Sequence, residues 1–269
     1  MEMTAGVNDI EQAWWAPRTL SKGRTLDAVI GPLRVWLQHG HDAWIVAWQR
    51  DDDVHSMRLA LGESDAPPPE DNRQRHVLDP ETDIVRLQPG LLDRPIVVRT
   101  LEPVFLPSGE STTLYISTPL SLSLCVGDNA EPLCEIQTLR LSDSWFGPNT
   151  REGKACYAAR TSARTVLAEL PRRPHRAISP VHIRNRAPTA LSLEKLSLPV
   201  PALGLYGDLQ HGIWTQSLTL ERDDDNDVAA LRVGDGAPTE APNAEAVAEA
   251  RAPATRGAAI RAFSRIFRE

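Results

Sequence analysis

Hydrophobic and polar residues first fall into a regular order at Leu33. Leu33, Val35 and Leu37 alternate with Arg34, Trp36 and Gln38, and after His39-Gly40-His41-Asp42 the alternation resumes at Trp44, Val46 and Trp48. A period of two on both sides of a glycine turn predicts a β-hairpin. Residues 56–61 read as a third short strand. The pattern then breaks over 62–82, which holds Pro67-Pro68-Pro69 and the acids Glu63, Asp65, Glu70 and Asp71, and reads as a solvated loop or hinge.

Beyond this loop, strand patterns recur at 83–87, 96–101, 113–117, 120–126, 134–142, 155–159, 178–185, 191–198, 212–221 and 227–233. Pro107-Ser108-Gly109, Gly127-Asp128-Asn129, Gly147-Pro148-Asn149 and Asp223-Asp224-Asp225-Asn226 separate several of them. Residues 161–170 fit a helix or a strand equally well. Many short strands with polar turns predict a mainly β chain, an antiparallel β-sandwich of one large or two small layers over residues 20–233, with a sub-boundary at the 62–82 loop.

Strand periodicity is lost over 234–257, an Ala-, Pro-, Glu- and Thr-rich stretch without aromatics. Such a composition buries little apolar surface, and the expectation is a flexible linker. Residues 258–269 regain a pattern of another kind. At about 100° per residue, Ile260, Phe263, Ile266 and Phe267 fall on one face and Arg261, Arg265 and Arg268 on the other. This predicts a short basic amphipathic helix.

Composition narrows the picture. The 269 residues are 41% hydrophobic and 24% charged with a net charge of −7, which argues against a generic nucleic-acid binder. No apolar run reaches membrane-spanning length, and the first twelve residues carry three acids and no base, unlike a secretory signal. Cys125, Cys134 and Cys156 are odd in number and lack Cys-x-x-Cys spacing, as expected of reduced thiols. A cytoplasmic chain is the expectation, with a peripheral place on the inner face of the membrane as the alternative.

Motifs for catalysis are weak. His39-Gly40-His41-Asp42 places two imidazoles near a carboxylate, but at a hairpin tip. Residues 223–227 lack the glycine and glutamate of a calcium loop, and Asp51-Asp52-Asp53 reads the same way. Residues 147–154 fail the spacing of a phosphate-binding loop, and no Gly-x-Ser-x-Gly elbow occurs. Nothing places Cys156 beside His182 or His211 as a thiolate pair. No catalytic residue, metal ligand or cofactor is therefore assigned. The most distinctive stretch, Ser142 through Pro148, joins Trp145 and Phe146 to polar groups and a turn. With Tyr206, Asp208, His211 and Trp214 it forms a candidate ligand surface, on the expectation that the two clusters converge.

Ser144-Trp145-Phe146-Gly147, Gly153 with Cys156-Tyr157, Pro180 to Asn185, Leu203 to Tyr206 and Gly212-Ile213-Trp214-Thr215 carry a resemblance. On these residues the chain resembles an uncharacterised prokaryotic family, a domain of unknown function. The likeness covers about Pro95 to Glu221, leaves the N-terminal hairpin open and excludes the tail. It implies no catalytic residue. It also implies gene neighbourhoods that include small mechanosensitive channels, which makes a membrane channel one candidate partner.

Together these readings favour a non-enzymatic interaction or regulatory module that docks a protein partner or a membrane surface through the C-terminal helix. A small-ligand or glycan-binding β-domain is the first alternative, and an enzyme of unidentified chemistry the second.

Overall fold

The computed structural model describes residues 13–77, 82–127, 131–147, 151, 153–208, 212–225 and 228–253, and the backbone of 259–261. The described residues are mainly β. A two-residue strand, β1 (Arg18–Thr19), leads into β2 (Thr25–Ile30), β3 (Leu33–His39), β4 (Trp44–Arg50), β5 (Leu59–Ser64) and β6 (Gln74–His76). Strands β2 to β6 form a five-stranded antiparallel sheet in the order β5-β2-β3-β4-β6. The expected hairpin is β3–β4, with Leu33, Val35, Leu37, Trp44 and Val46 buried on its inner face. His39 closes it, stacked on Trp44 at 4.1 Å, with its Nδ1 2.9 Å from the Leu20 carbonyl oxygen.

The next strands are β7 (Ile84–Leu91), β8 (Ile96–Leu106), β9 (Ser111–Val126), β10 (Cys134–Gln137), β11 (Asp143–Phe146), β12 (Lys154–Ala163), β13 (Arg176–Asn185) and β14 (Leu191–Leu198). The chain continues through β15 (Leu205–Asp208), β16 (Gly212–Thr215), β17 (Leu218–Arg222), β18 (Val228–Val233), β19 (Glu245–Ala248) and β20 (Ala259–Arg261). A four-stranded mixed sheet runs β11-β12-β8-β14, its β12–β8 pair parallel. An eleven-stranded mixed sheet follows the path β1-β7-β9-β13-β16-β15-β19, with β10 on β9 and with β17, β18 and β20 extending from β13.

The two strands expected at 113–117 and 120–126 are one sixteen-residue strand, β9. Pro119 lies inside it, where it cannot donate to a ladder. The strand changes partner at that point. Residues up to Pro119 pair with β13, and residues from Leu120 onward pair with β7. One buried cluster joins the sheets, taking in Leu26 and Val35 of the first, Val98 and Leu193 of the second, and Leu122 and Ile183 of the third.

Two expectations about the C-terminal region are corrected. The described part of the 234–257 stretch is not a loose tether. Ala241 is buried, β19 pairs with β15, and Arg251 donates to the Leu91 carbonyl oxygen, to Ser121 Oγ and to Glu135. Backbone pairing and one arginine anchor it, and neither needs an apolar periodicity. The helix over 258–269 is not found at its start. Ala259–Arg261 is a strand antiparallel to β18, and residues 262–269, with Phe263, Arg265, Ile266, Phe267 and Arg268, lie outside the described residues. No helix of the described residues is long and apolar enough to cross a membrane.

Candidate anion-binding site

The arrangement begins at Arg99. In β8 it stands between two neighbours, opposite Ser162 of β12 on one side and Lys195 of β14 on the other. Both ladders are irregular here. Ala158 faces Val97 and Ser162 faces Arg99, so Ala159, Arg160 and Thr161 bulge against Val98 alone. On the other side Leu193 faces Val104 and Lys195 faces Arg99, so Thr100 to Pro103 bulge against Glu194. Bulges re-aim side chains and open a sheet locally. Arg160 in the first bulge has φ +50°, a left-handed backbone that non-glycine residues adopt at a cost.

These irregularities open a cleft of about 530 Å³. Strands β8, β12 and β14 form one side. Val54 and His55, from the β4–β5 connection, the 170–176 segment that leads into β13, Ser144 of β11 and Arg164 complete the cleft. Arg99, Arg160, Arg164, Arg173, Arg176 and Lys195 all line it, and no aspartate or glutamate does. Among the described residues none of these six makes an ion pair with a carboxylate, within a chain whose net charge is −7. Asp53 acts on Arg173 from outside the cleft.

Arg176 is the buried member, 4% exposed. Its Nη1 donates to the Ser117 carbonyl oxygen at 2.9 Å, and both Nη atoms donate to the Ala159 carbonyl oxygen at 3.2 Å. Its Nε finds no partner, and neither does the buried Nη1 of Arg164. Burial, and then the fields of Arg173 and Arg160, bring the Arg176 pKa down to about 9. It is still a cation at neutral pH, held where a cation is costly. Arg173 is steered by His55, to whose carbonyl oxygen its Nε donates at 3.4 Å and to whose Nδ1 its Nη2 donates at 3.1 Å. His175 sits between the two arginines in sequence. Burial first, and Arg176 next, lower its pKa to about 3, so it adds no positive charge at neutral pH. Its ring packs on Gly31, where any Cβ would lie 2.0 Å from Nδ1. A cluster of cations with no carboxylate in its lining, and with buried N–H donors left over, has the chemistry to hold an anion.

The residues expected to form a ligand surface divide between sheets. Trp145 is 40% exposed on the edge strand β11, its indole over Gly153, while Phe146 is buried with Val97 and Cys156. Trp214 is fully buried with Leu170, Ile178 and Ala241, and Tyr206 pairs with it across β15–β16. Asp208 lines a second cavity, of about 320 Å³, with Gly212, Ile213, Trp14 and Trp15, and His211 lies outside the described residues. Ser144, beside Trp145, lines the cationic cleft. Cys156 is buried, its thiol pushed up by burial and donating to the Lys154 carbonyl oxygen, and His182 Nδ1 lies 2.9 Å from Thr113 Oγ1.

The family model described as a protein of unknown function, DUF432, matches residues 14–268. The chain belongs to the DUF432 family. The resemblance over Pro95 to Glu221 is thereby extended in both directions, and the tail it excluded belongs to the DUF432 match. No curated protein and no solved structure matches this DUF432 chain.

Sequence order hides the six cations because the fold gathers them from β8, the β12 bulge, Arg164 just after β12, the 170–176 segment and β14. One local signal was present. Arg172-Arg173-Pro174-His175-Arg176 is a dense basic run in an acidic chain, and Lys195 is one of only three lysines.

Proposed function

We propose that this chain is a binding protein for a small phosphate-bearing anion, held in the cleft between β8, β12 and β14. This deepens the small-ligand reading of the sequence and places the ligand on different residues. The observation that carries it is Arg176, a buried cation with an unpartnered Nε in a cleft of six cations without a carboxylate. A phosphoryl group offers several acceptor oxygens and negative charge, which matches guanidinium forks better than a single carboxylate does. The same reading treats the sheets as sandwich-like layers over one core, with the cleft at their meeting point. The side chains of 259–269, on which docking through the C-terminus is expected, lie outside the described residues.

Calorimetric titration with inorganic pyrophosphate at fixed ionic strength tests this. The expected result is saturable binding of one equivalent, weakened at least tenfold in Arg99→Gln/Lys195→Gln, two substitutions on the open side of the cleft. No saturable heat, or equal affinity in the variant, overturns it.

A further inference from the structure

Resting on the anion-binding reading, we infer that the ligand is a nucleoside monophosphate, with its phosphate in the cationic cleft and its base and sugar in the neighbouring cavity. The two cavities share a wall, since Arg173 and Arg176 line both. A ligand that reaches across this wall has to be anionic at one end and largely apolar at the other.

The second cavity has the matching chemistry. Trp14, Trp15, Met57, Leu59, Ile178 and Ile213 supply its apolar lining, and its volume of about 320 Å³ lies within the range of small-molecule sites. Trp15 is half-buried and held in place. It lies over Gly207 of β15, where a Cβ would meet its ring at 2.7 Å, and Trp14 braces it edge-on at 5.5 Å and 84°. Met57 is 59% exposed at the same cavity. A fixed indole and a polarizable thioether suit a flat heteroaromatic ring. Arg172 and Asp208 also line the cavity. Charged groups of both signs suit the hydroxyls and ring edges of a nucleoside, and they are poor neighbours for an acyl chain.

The test titrates the full chain with AMP, GMP, CMP and UMP, and with inorganic phosphate and adenosine, following tryptophan fluorescence and heat. At least one nucleotide is expected to bind tenfold or more tightly than phosphate. Trp15→Ala is expected to remove that margin while leaving phosphate affinity within twofold. Met57→Ala, at an exposed position, serves the same purpose if Trp15→Ala does not fold. Phosphate binding with no nucleotide margin overturns this inference and leaves the anion site standing. Nucleotide margins that survive both substitutions also overturn it. Binding of neither phosphate nor nucleotide overturns the anion site as well.

Discussion

Lys195 stands directly opposite Arg99 in the β14–β8 ladder, like charge facing like charge. Directly opposed like charges destabilise an antiparallel pair, by roughly 0.2–1 kcal/mol. Arg99→Gln is therefore expected to raise the stability of the ligand-free chain by a few tenths of a kcal/mol in urea unfolding at low salt. The same substitution is expected to lower pyrophosphate affinity. A stability gain bought with lost binding is the signature of a charge kept for a ligand. If Arg99→Gln destabilises the free chain, the repulsion is not the governing interaction.

Arg160 allows the cost of the bulge to be separated from the cost of its charge. Arg160→Ala removes the charge but keeps the cost of a left-handed backbone at φ +50°, whereas Arg160→Gly removes both the charge and that cost. The glycine variant is expected to be more stable than the alanine variant by about 1 kcal/mol. Both are expected to lose anion affinity equally. Paired urea titrations and calorimetry check the two halves separately.

His175 sets an acid limit. Its pKa falls from 6.5 to about 3 on folding, so the folded chain refuses a proton that the unfolded chain accepts. This penalty is absent above pH 6.5. It grows as pH falls through the window down to about 3, by up to ~1.4 kcal/mol per pH unit. His175→Asn is expected to flatten the dependence of unfolding free energy on pH between 6 and 4. Parallel slopes for the two proteins would show that His175 is not the group responsible.

The junction of β8, β13 and β17 depends on Asn185 and Arg222, both fully buried. Asn185 Nδ2 donates to the carbonyl oxygens of Leu106, Pro107 and Thr189 at 2.9 to 3.1 Å, and Arg222 Nη1 donates to Asn185 Oδ1 at 3.1 Å. Asn185→Ala takes a donor from the buried Leu106 carbonyl and an acceptor from a buried cation. A loss of about 3 kcal/mol or more is expected in urea unfolding, with pyrophosphate affinity unchanged where the variant folds.

What the sequence made legible was whatever depends on alternation. The β3–β4 hairpin and the strand at 191–198 appear as expected, because one face of each is buried. Elements held by backbone pairing and isolated polar anchors left no such trace. β19 joins β15 from a stretch without strand periodicity, and Arg251 fastens the chain just beyond it. The amphipathic arithmetic at 258–269 was sound as geometry. Ala259–Arg261 nevertheless pair with the edge of β18, because an open sheet edge competes with a short helix for the same backbone groups. Periodicity also has nothing to say about the cleft, whose cations come from stretches far apart in the sequence.

The most direct test of the central claim is the position of a bound anion. Crystals of the chain soaked in tungstate, a heavy phosphate analogue, are expected to show their strongest anomalous peak in the cleft, within hydrogen-bond distance of Arg173 or Arg176 and close to Arg99 and Lys195. A tungstate peak pattern that leaves this cleft empty while occupying other surface arginines would contradict the account.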